Sequence, residues 1–110
     1  DLIWIADIAP NGKFIKDAAA AIIVLCKDTK YYLEDGCAAT ENILLAATAL
    51  GIGSCWIAGD KKDYAGEVVK YFGAPQDLKL LSIISLGYPL SIPAPREKRA
   101  LSEVIHKQRF

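Results

Sequence analysis

The sequence predicts a layered protein of the α/β or α+β class, and three segments carry that prediction. Two short apolar runs, Ala20–Cys26 and Leu80–Leu86, have the length and composition of buried strands. Between them lies Glu34–Leu50, whose acidic start and run of small and apolar residues predict a helix. With a shorter strand at Ser54–Ala58 and another helix after it, the order is strand, helix, strand, helix, strand. The pattern leaves open whether the sheet is parallel, as in a doubly wound fold, or antiparallel.

The shorter strand and helix segments are predicted from their composition and from the residues at their ends. Ala20–Cys26 is apolar at every position, so we expect a strand that is buried on both faces of the sheet. The helix that follows Ser54–Ala58 is expected to be capped by Asp63 and to run through Tyr71. The segment before the first strand is ambiguous, with a short helical stretch at Lys13–Ala19 as one interpretation.

The helix Glu34–Leu50 is the clearest element of the chain. Asp35 is its expected N-cap and Gly51 its expected C′ residue. A helix that is apolar nearly all round is expected to be buried. Its small residues would let another backbone or a flat ligand approach closely: Gly36, Ala38, Ala39, Thr40, Ala46, Ala47, Thr48 and Ala49. Because such a helix is too apolar to face water, we expect a dimer.

The composition excludes several classes of function. Hydrophobic residues make up 53% of the 110-residue chain, which is enough for one domain with its own core. The 13 basic and 13 acidic residues balance, so we expect neither nucleic acid nor an anionic membrane as a partner. No apolar run reaches the roughly 18 residues that a membrane span needs.

Cysteine and histidine are too few and too scattered to predict a nucleophile or a metal site. The three cysteines, Cys26, Cys37 and Cys55, include no C-x-x-C pair, so neither a disulfide framework nor a zinc site is expected. Reduced thiols fit a cytoplasmic protein. Cys55 is interpreted as a buried core thiol and Cys37 as structural. His106 lies outside any recognisable catalytic motif and is interpreted as a surface residue.

A basic run near the C-terminus has two interpretations. Arg96, Lys98 and Arg99 could bind a phosphate group, or they could be a solvated tail. Prolines precede the run and apolar residues follow it. This composition predicts that residues 91–110 form an extended arm that packs on a partner subunit.

One stretch, residues 34–59, combines several features in a fixed order. An acidic-Gly start leads into a small-residue helix with a central Asn42, then Leu50-Gly51-Ile52-Gly53, and then a strand that contains Trp56 and ends at Gly59. Val69–Pro75, Leu80–Pro89 and the basic tail follow. Over about residues 18–106, this ordered set resembles the C-terminal half of the nitroreductase family.

The resemblance implies an α+β fold in which a central sheet is accompanied by a long helix that is buried at a dimer interface. It also implies that FMN is held between the two subunits of a homodimer. In this family a backbone N–H after the aromatic-bearing strand donates to the flavin N5. By position, this places Ile57, Ala58 and Gly59 beside the flavin.

The resemblance further implies a site for the FMN phosphate and a reaction. Basic residues near the C-terminus contact the phosphate in the family, which matches Lys98 and Arg99 best and Arg96 more loosely. NAD(P)H would reduce the flavin, and a nitroaromatic or quinone acceptor would reoxidise it. No catalytic side chain is expected, because the cofactor carries the chemistry.

The chain also departs from the family pattern. The family's early arginine-rich segment and its Pro-Ser…Asn segment have no counterpart here. Because the chain starts at Asp1 and contains no methionine, we expect its N-terminal part to be missing. The alternative function is a non-catalytic, flavin-free dimerisation or scaffold domain derived from the same fold. The missing segments favour this alternative, whereas Ala58-Gly59 and Lys98-Arg99 favour the enzyme.

Overall fold

A three-stranded antiparallel sheet lies at the centre of the computed structural model, which describes residues 1–91 and 94–109. Its strands are β1 (Ala20–Lys27), β2 (Gly53–Ala58) and β3 (Leu78–Gly87), in the spatial order β1-β3-β2. Both β1 and β2 pair antiparallel with β3. This pairing excludes the parallel, doubly wound arrangement and confirms the α+β class.

The central strand is β3, and β1 lies at an edge of the sheet. Consecutive residues from Leu80 to Ser85 are buried, whereas every residue of β1 is half-buried or exposed. The prediction that Ala20–Cys26 is buried on both faces is therefore wrong within this chain. An apolar run cannot distinguish a central strand from an edge strand, because strand order depends on contacts far apart in sequence.

An irregularity in β3 sets the side chains that face the long helix. The register shifts between Val24 and Leu25, so that β3 carries one extra residue near Leu81. A bulge of this kind breaks the alternation of side chains between the two faces. As a result, Leu81 and Ser82, although adjacent, both reach the long helix.

The long helix, α2, spans Tyr32–Ala49 and begins earlier than the sequence predicts. Its N-cap residue is Tyr31, which makes no side-chain capping bond, and Asp35 lies inside the first turn rather than at the cap. The C-terminal prediction is confirmed. Gly51 has a φ of +71°, its N–H donates to the Thr48 carbonyl, and the Ile52 N–H donates to the Ala47 carbonyl. These two bonds satisfy carbonyls that the end of a helix leaves without intrahelical partners.

One face of α2 packs tightly against the sheet. A Cβ atom at Gly36 would lie 2.4 Å from Leu81 Cδ2 and 2.7 Å from Cys26 Sγ, so any other residue here would require these side chains to shift. One turn later, the buried Thr40 Oγ1 lies 2.8 Å from Ser82 Oγ and donates to the Gly36 carbonyl. The small residues on this face therefore serve contact with the sheet.

The opposite face of α2 is exposed in the single chain. Ala38, Asn42, Leu45 and Ala49 recur at helical spacing and are all exposed, and Leu45 keeps 59% of its surface accessible. The expectation of an entirely buried helix is thus met on one face only. Burial of the other face would require a second copy or another segment.

The second face of the sheet is covered by three short helical elements. These are α1 (Leu2–Ile8), a 3-10 helix at Lys13–Asp17 and α3 (Ala65–Tyr71). The largest group of buried side chains lies between them and the sheet, and it includes Ile5, Ile15, Ile57, Val68, Leu80 and Ile83. Asp63 does not cap α3, because its N-cap residue is Tyr64 and no side-chain capping bond forms.

The C-terminal segment has little regular structure. Its described residues lack helix and strand except for one helical turn, α4 (Leu101–Val104), and they are exposed. Ile92, Pro93 and Phe110, which belong to the predicted arm 91–110, lie outside the described residues. In the part of the chain that is described, no helix is long and apolar enough to cross a membrane.

Candidate functional site

A cavity of about 620 Å³ opens at the end of β2, between the N-terminal segment and the start of α3. Its volume lies within the roughly 300–1,000 Å³ that is typical of small-molecule sites. Its wall combines apolar and polar side chains: Ile8, Pro10, Asn11, Trp56, Ile57, Ala58, Lys62, Asp63, Tyr64 and Glu67. Two of the predicted flavin-contacting residues, Ile57 and Ala58, therefore line one cavity.

The hydrogen-bonding pattern of the sheet determines where the backbone groups of β2 point. The Gly59 N–H donates to the Leu81 carbonyl at 2.9 Å, and the register pairs Ile57 with Ile83. In an antiparallel pair, hydrogen-bonded residues alternate along the strand. The backbone groups of Ile57 therefore point toward β3, as the Gly59 N–H does. Those of Ala58, between them, point away from β3 at the free edge of the sheet.

Gly59 is buried and serves packing rather than ligand approach. A Cβ atom at this position would lie 2.5 Å from Leu80 Cγ and 2.9 Å from the carbonyl carbon of Leu81. Both distances are shorter than real Cβ contacts. The neighbour that excludes a side chain is β3.

Tyr64 is the side chain that contacts the Ala58 edge. Its hydroxyl donates to the Ala58 carbonyl, six residues earlier in the chain. Its ring is half-buried and packs against the hydrophobic core. Burial raises the pKa of the Tyr64 phenol above its ordinary value of 10.0, so the hydroxyl keeps its proton and remains a donor at neutral pH.

A polar cluster fastens the loop between β2 and α3 to the rest of the fold. The Tyr32 hydroxyl donates to Asp60 Oδ1 at 2.8 Å, and this bond is the main cause that raises the pKa of Tyr32. Nearby, Lys79 Nζ lies 2.9 Å from Asp28 Oδ2, which raises the pKa of the Lys79 amine. The cluster therefore connects the first turn of α2 to the loop that follows Ala58.

Lys98 and Arg99 lie apart from the cavity at Ala58. Together with Glu97, Ala100 and Glu103 they line a separate, shallow depression on the C-terminal segment. Arg96, Lys98 and Arg99 are all exposed. Within one chain, the structure thus brings Ile57 and Ala58 together at a cavity but does not place the basic run on its wall.

The cysteines and the histidine do not form a second centre. Cys55 is exposed, so its interpretation as a buried core thiol is wrong. Cys26 and Cys37 are half-buried free thiols, and burial is the main cause that raises the pKa of Cys26. His106 is exposed, as predicted. Within residues 1–91 and 94–109, no group of three or more His, Cys, Asp or Glu side chains is arranged to hold a metal ion.

Several residues of the cavity wall escape sequence reasoning. Pro10, Asn11 and Gly12 are typical turn residues and Asp63 is the expected cap of α3, but neither pattern indicates a cavity. Tyr64 carries no sequence signal either, because a hydroxyl that reaches back six residues to a carbonyl follows no helical or strand period. Trp56, Ile57 and Ala58 are the residues of the cavity wall that the resemblance already singles out.

Comparison with known proteins gives one consistent result. The model of the nitroreductase family matches residues 7–88, a range that ends before the basic run. A protein of Methanothermobacter thermautotrophicus named "Putative NADH dehydrogenase/NAD(P)H nitroreductase" is 35% identical over 99 residues, which cover 84% of this chain and 52% of that protein. The chain spans about half the length of the curated relatives that it matches.

Solved structures agree with this result. A Bacteroides thetaiotaomicron protein of the same name superposes with a TM-score of 0.89 at 33% identity, over 99% of this chain and 66% of that chain. A Clostridium difficile protein described as an FMN-dependent nitroreductase superposes with a TM-score of 0.84 at 26% identity, over 99% of this chain and 69% of that chain.

Proposed function

Because the chain belongs to the nitroreductase family, we propose that it forms part of an NAD(P)H-dependent flavin oxidoreductase that holds FMN at the Ala58 edge. The observation that carries this proposal is the outward-pointing N–H of Ala58 at the free edge of β2, beside a cavity of about 620 Å³. Of the three backbone donors that the family resemblance offers, this is the one that the sheet does not use.

The residues of the cavity fit a flavin. Ile8, Pro10 and Trp56 give the wall an apolar part, which suits a flat aromatic ring. Ala58 has a side chain small enough to leave its backbone accessible. When bound, FMN would supply hydride transfer from NAD(P)H to an electron acceptor. The chain would bind and orient the ring, with the Ala58 N–H directed at N5 and Ile57 in the wall.

Lys98 and Arg99, with Arg96 as a further candidate, are proposed to bind the phosphate of FMN. Guanidinium and ammonium groups are suited to this role because they form charge-assisted hydrogen bonds with phosphate oxygens. Since these residues line a different depression from Ala58 in one chain, we propose that they act on the cofactor of a partner subunit. The arm of residues 91–110 would then extend from a single domain of residues 1–110 onto the partner.

We propose a homodimer that is formed through the exposed face of α2. This face is lined by small residues and by Leu45, which is 59% exposed. An exposed apolar helix face of this size is an unfavourable surface for a monomer in water. The same dimer would bring the arm of one chain near the other.

NAD(P)H is proposed as the electron donor, and a nitroaromatic compound or a quinone as the acceptor. We propose neither nucleic acid nor a membrane as a partner, since the formal charge is balanced. The three free thiols suit a reducing compartment, so we propose a cytoplasmic location.

The absorbance spectrum of the purified protein tests the proposal. We expect a yellow protein, or a colourless one that takes up added FMN in a ratio of one per chain and quenches its fluorescence. Protein that is folded by circular dichroism but neither carries nor takes up FMN would refute the proposal. That result would instead support the flavin-free dimerisation or scaffold function.

A further inference from the structure

We propose that Tyr64 is a positioning residue that makes the Ala58 edge a hydrogen-bond donor for the flavin. The inference rests on the proposed function. It concerns a side chain whose hydroxyl contacts Ala58, a residue at which the cavity meets the free edge of β2.

The first step concerns the two backbone groups of Ala58. In an antiparallel strand, the N–H and the C=O of one residue point to the same side. At Ala58 both point away from β3, so the free edge would present a donor and an acceptor side by side. The Tyr64 hydroxyl donates to the carbonyl and thereby takes up one of its two lone pairs. What the edge then offers to a ligand is chiefly the N–H.

The second step concerns how firmly Tyr64 is held. Its ring packs against the core cluster that contains Ile57 and Val68. The loop between Ala58 and Tyr64 is short and bonded to β3, because the N–H groups of Gly59 and Asp60 both donate to the Leu81 carbonyl, at 2.9 and 3.0 Å. The hydroxyl is therefore supported from the core and from the loop, and its position is set before a ligand arrives.

The third step concerns the redox state of the flavin. The N5 atom of oxidised flavin is a hydrogen-bond acceptor, whereas reduced flavin carries a hydrogen there and becomes a donor. An edge whose carbonyl is occupied and whose N–H is directed outward favours the oxidised form. An edge with a free carbonyl would favour the reduced form more than the native edge does. Tyr64 would thus lower the midpoint potential of the bound flavin.

Tyr64→Phe tests the inference, because it removes the hydroxyl and keeps the ring. We expect the dissociation constant of reduced FMN to fall about fivefold, as for the gain of one net hydrogen bond from its N5 hydrogen to the freed Ala58 carbonyl, while that of oxidised FMN does not fall. A fivefold change in this ratio raises the two-electron midpoint potential by about 20 mV, at 29.6 mV for each factor of ten. Fluorescence titration under air and after anaerobic reduction, with spectroelectrochemistry, measures all three quantities.

Tyr71→Phe is the matched control, because the Tyr71 hydroxyl donates to Asp1 Oδ1 at 3.1 Å, away from the cavity. It should leave both dissociation constants and the potential unchanged. If Tyr64 had only a structural role, Tyr64→Phe would weaken the binding of both redox forms equally, and an unchanged potential would overturn the inference. Circular dichroism and urea denaturation of the apoprotein verify that the variant folds. Wild-type protein that binds no FMN would instead refute the proposed function, and this inference with it.

Discussion

Gly59→Ala is predicted to destabilise the fold and to weaken FMN binding. The added Cβ would lie 2.5 Å from Leu80 Cγ and 2.9 Å from the Leu81 carbonyl carbon, whereas carbon atoms pack at about 3.5–4.0 Å. Neither neighbour can move freely. Leu80 is only 2% exposed, and the Leu81 carbonyl accepts hydrogen bonds from Gly59 and Asp60. The strands must therefore separate locally, by about 1 Å if the closest contact is to become normal.

The magnitude follows from the kind of strain. Gly59 does not have a positive φ, so the backbone conformation suits alanine and the cost is steric. Forcing a methyl group into a packed core costs about 1–3 kcal/mol. Since Ala58 precedes Gly59, the same separation displaces the Ala58 N–H. Loss of one net hydrogen bond corresponds to about a fivefold weaker FMN affinity.

Urea denaturation measures the first effect and fluorescence titration with FMN the second. Gly66→Ala is the matched control, because no atom lies within 4 Å of a Cβ at that position, in α3. Alanine is favoured over glycine in a helix, so the control should be neutral or more stable by about 0.5 kcal/mol. The reasoning would be refuted if the unfolding free energy of Gly59→Ala fell by no more than about 0.5 kcal/mol from the wild-type value.

Two further predictions concern assembly and the phosphate. Combined Lys98→Ala and Arg99→Ala substitutions should weaken FMN binding at least tenfold, because they remove charge-assisted bonds worth about 1.5–3 kcal/mol each. Fluorescence titration measures the affinity. Leu45→Glu should raise the dimer dissociation constant at least tenfold, or about 1.4 kcal/mol, because it places a charge within the proposed interface. Sedimentation velocity over a concentration series measures the assembly.

Each of these predictions has a control on the same chain. Lys107→Ala with Arg109→Ala removes two charges from the same segment and should leave FMN affinity unchanged. If the affinity of the Lys98 and Arg99 variant is also unchanged, the basic run is only a solvated tail. Ile3→Glu alters a residue on α1 that is 69% exposed and should not affect assembly. A wild-type protein that stays monomeric at all concentrations would contradict the proposed dimer.

The strand and helix order could be predicted because each element carries its own local signal. Apolar runs, a long helix of small residues and Gly51 at its C-terminus are features of a few consecutive residues, and the structure places α2, β2 and β3 there. The family resemblance is confirmed for the same reason, since it is an ordered set of such local features. Both predicted N-caps, Asp35 and Asp63, are wrong because a capping preference worth about 1 kcal/mol is easily outweighed by tertiary packing.

The candidate site depends on facts that are not local. Ala58 is distinguished from Ile57 and Gly59 only by the alternation of hydrogen bonds with β3, which lies more than twenty residues away in sequence. Strand order decides that β2 has a free edge, and the bulge near Leu81 decides which side chains reach α2. The hydroxyl of Tyr64 meets the Ala58 carbonyl only because the loop between them folds back.

The sequence, through its resemblance to the family, predicted the α+β class and the family, which are confirmed, and a three-residue segment for the flavin, which stays a prediction. Tertiary structure alone decided which of those three residues offers a donor, why Gly59 has no side chain, and which face of α2 is left exposed. The physical reason is that propensity, periodicity and capping act over a few residues. The alternation of hydrogen bonds along β2, the order of the strands and the exclusion of a side chain at Gly59 instead depend on β3, the strand that lies beside β2 in the folded chain.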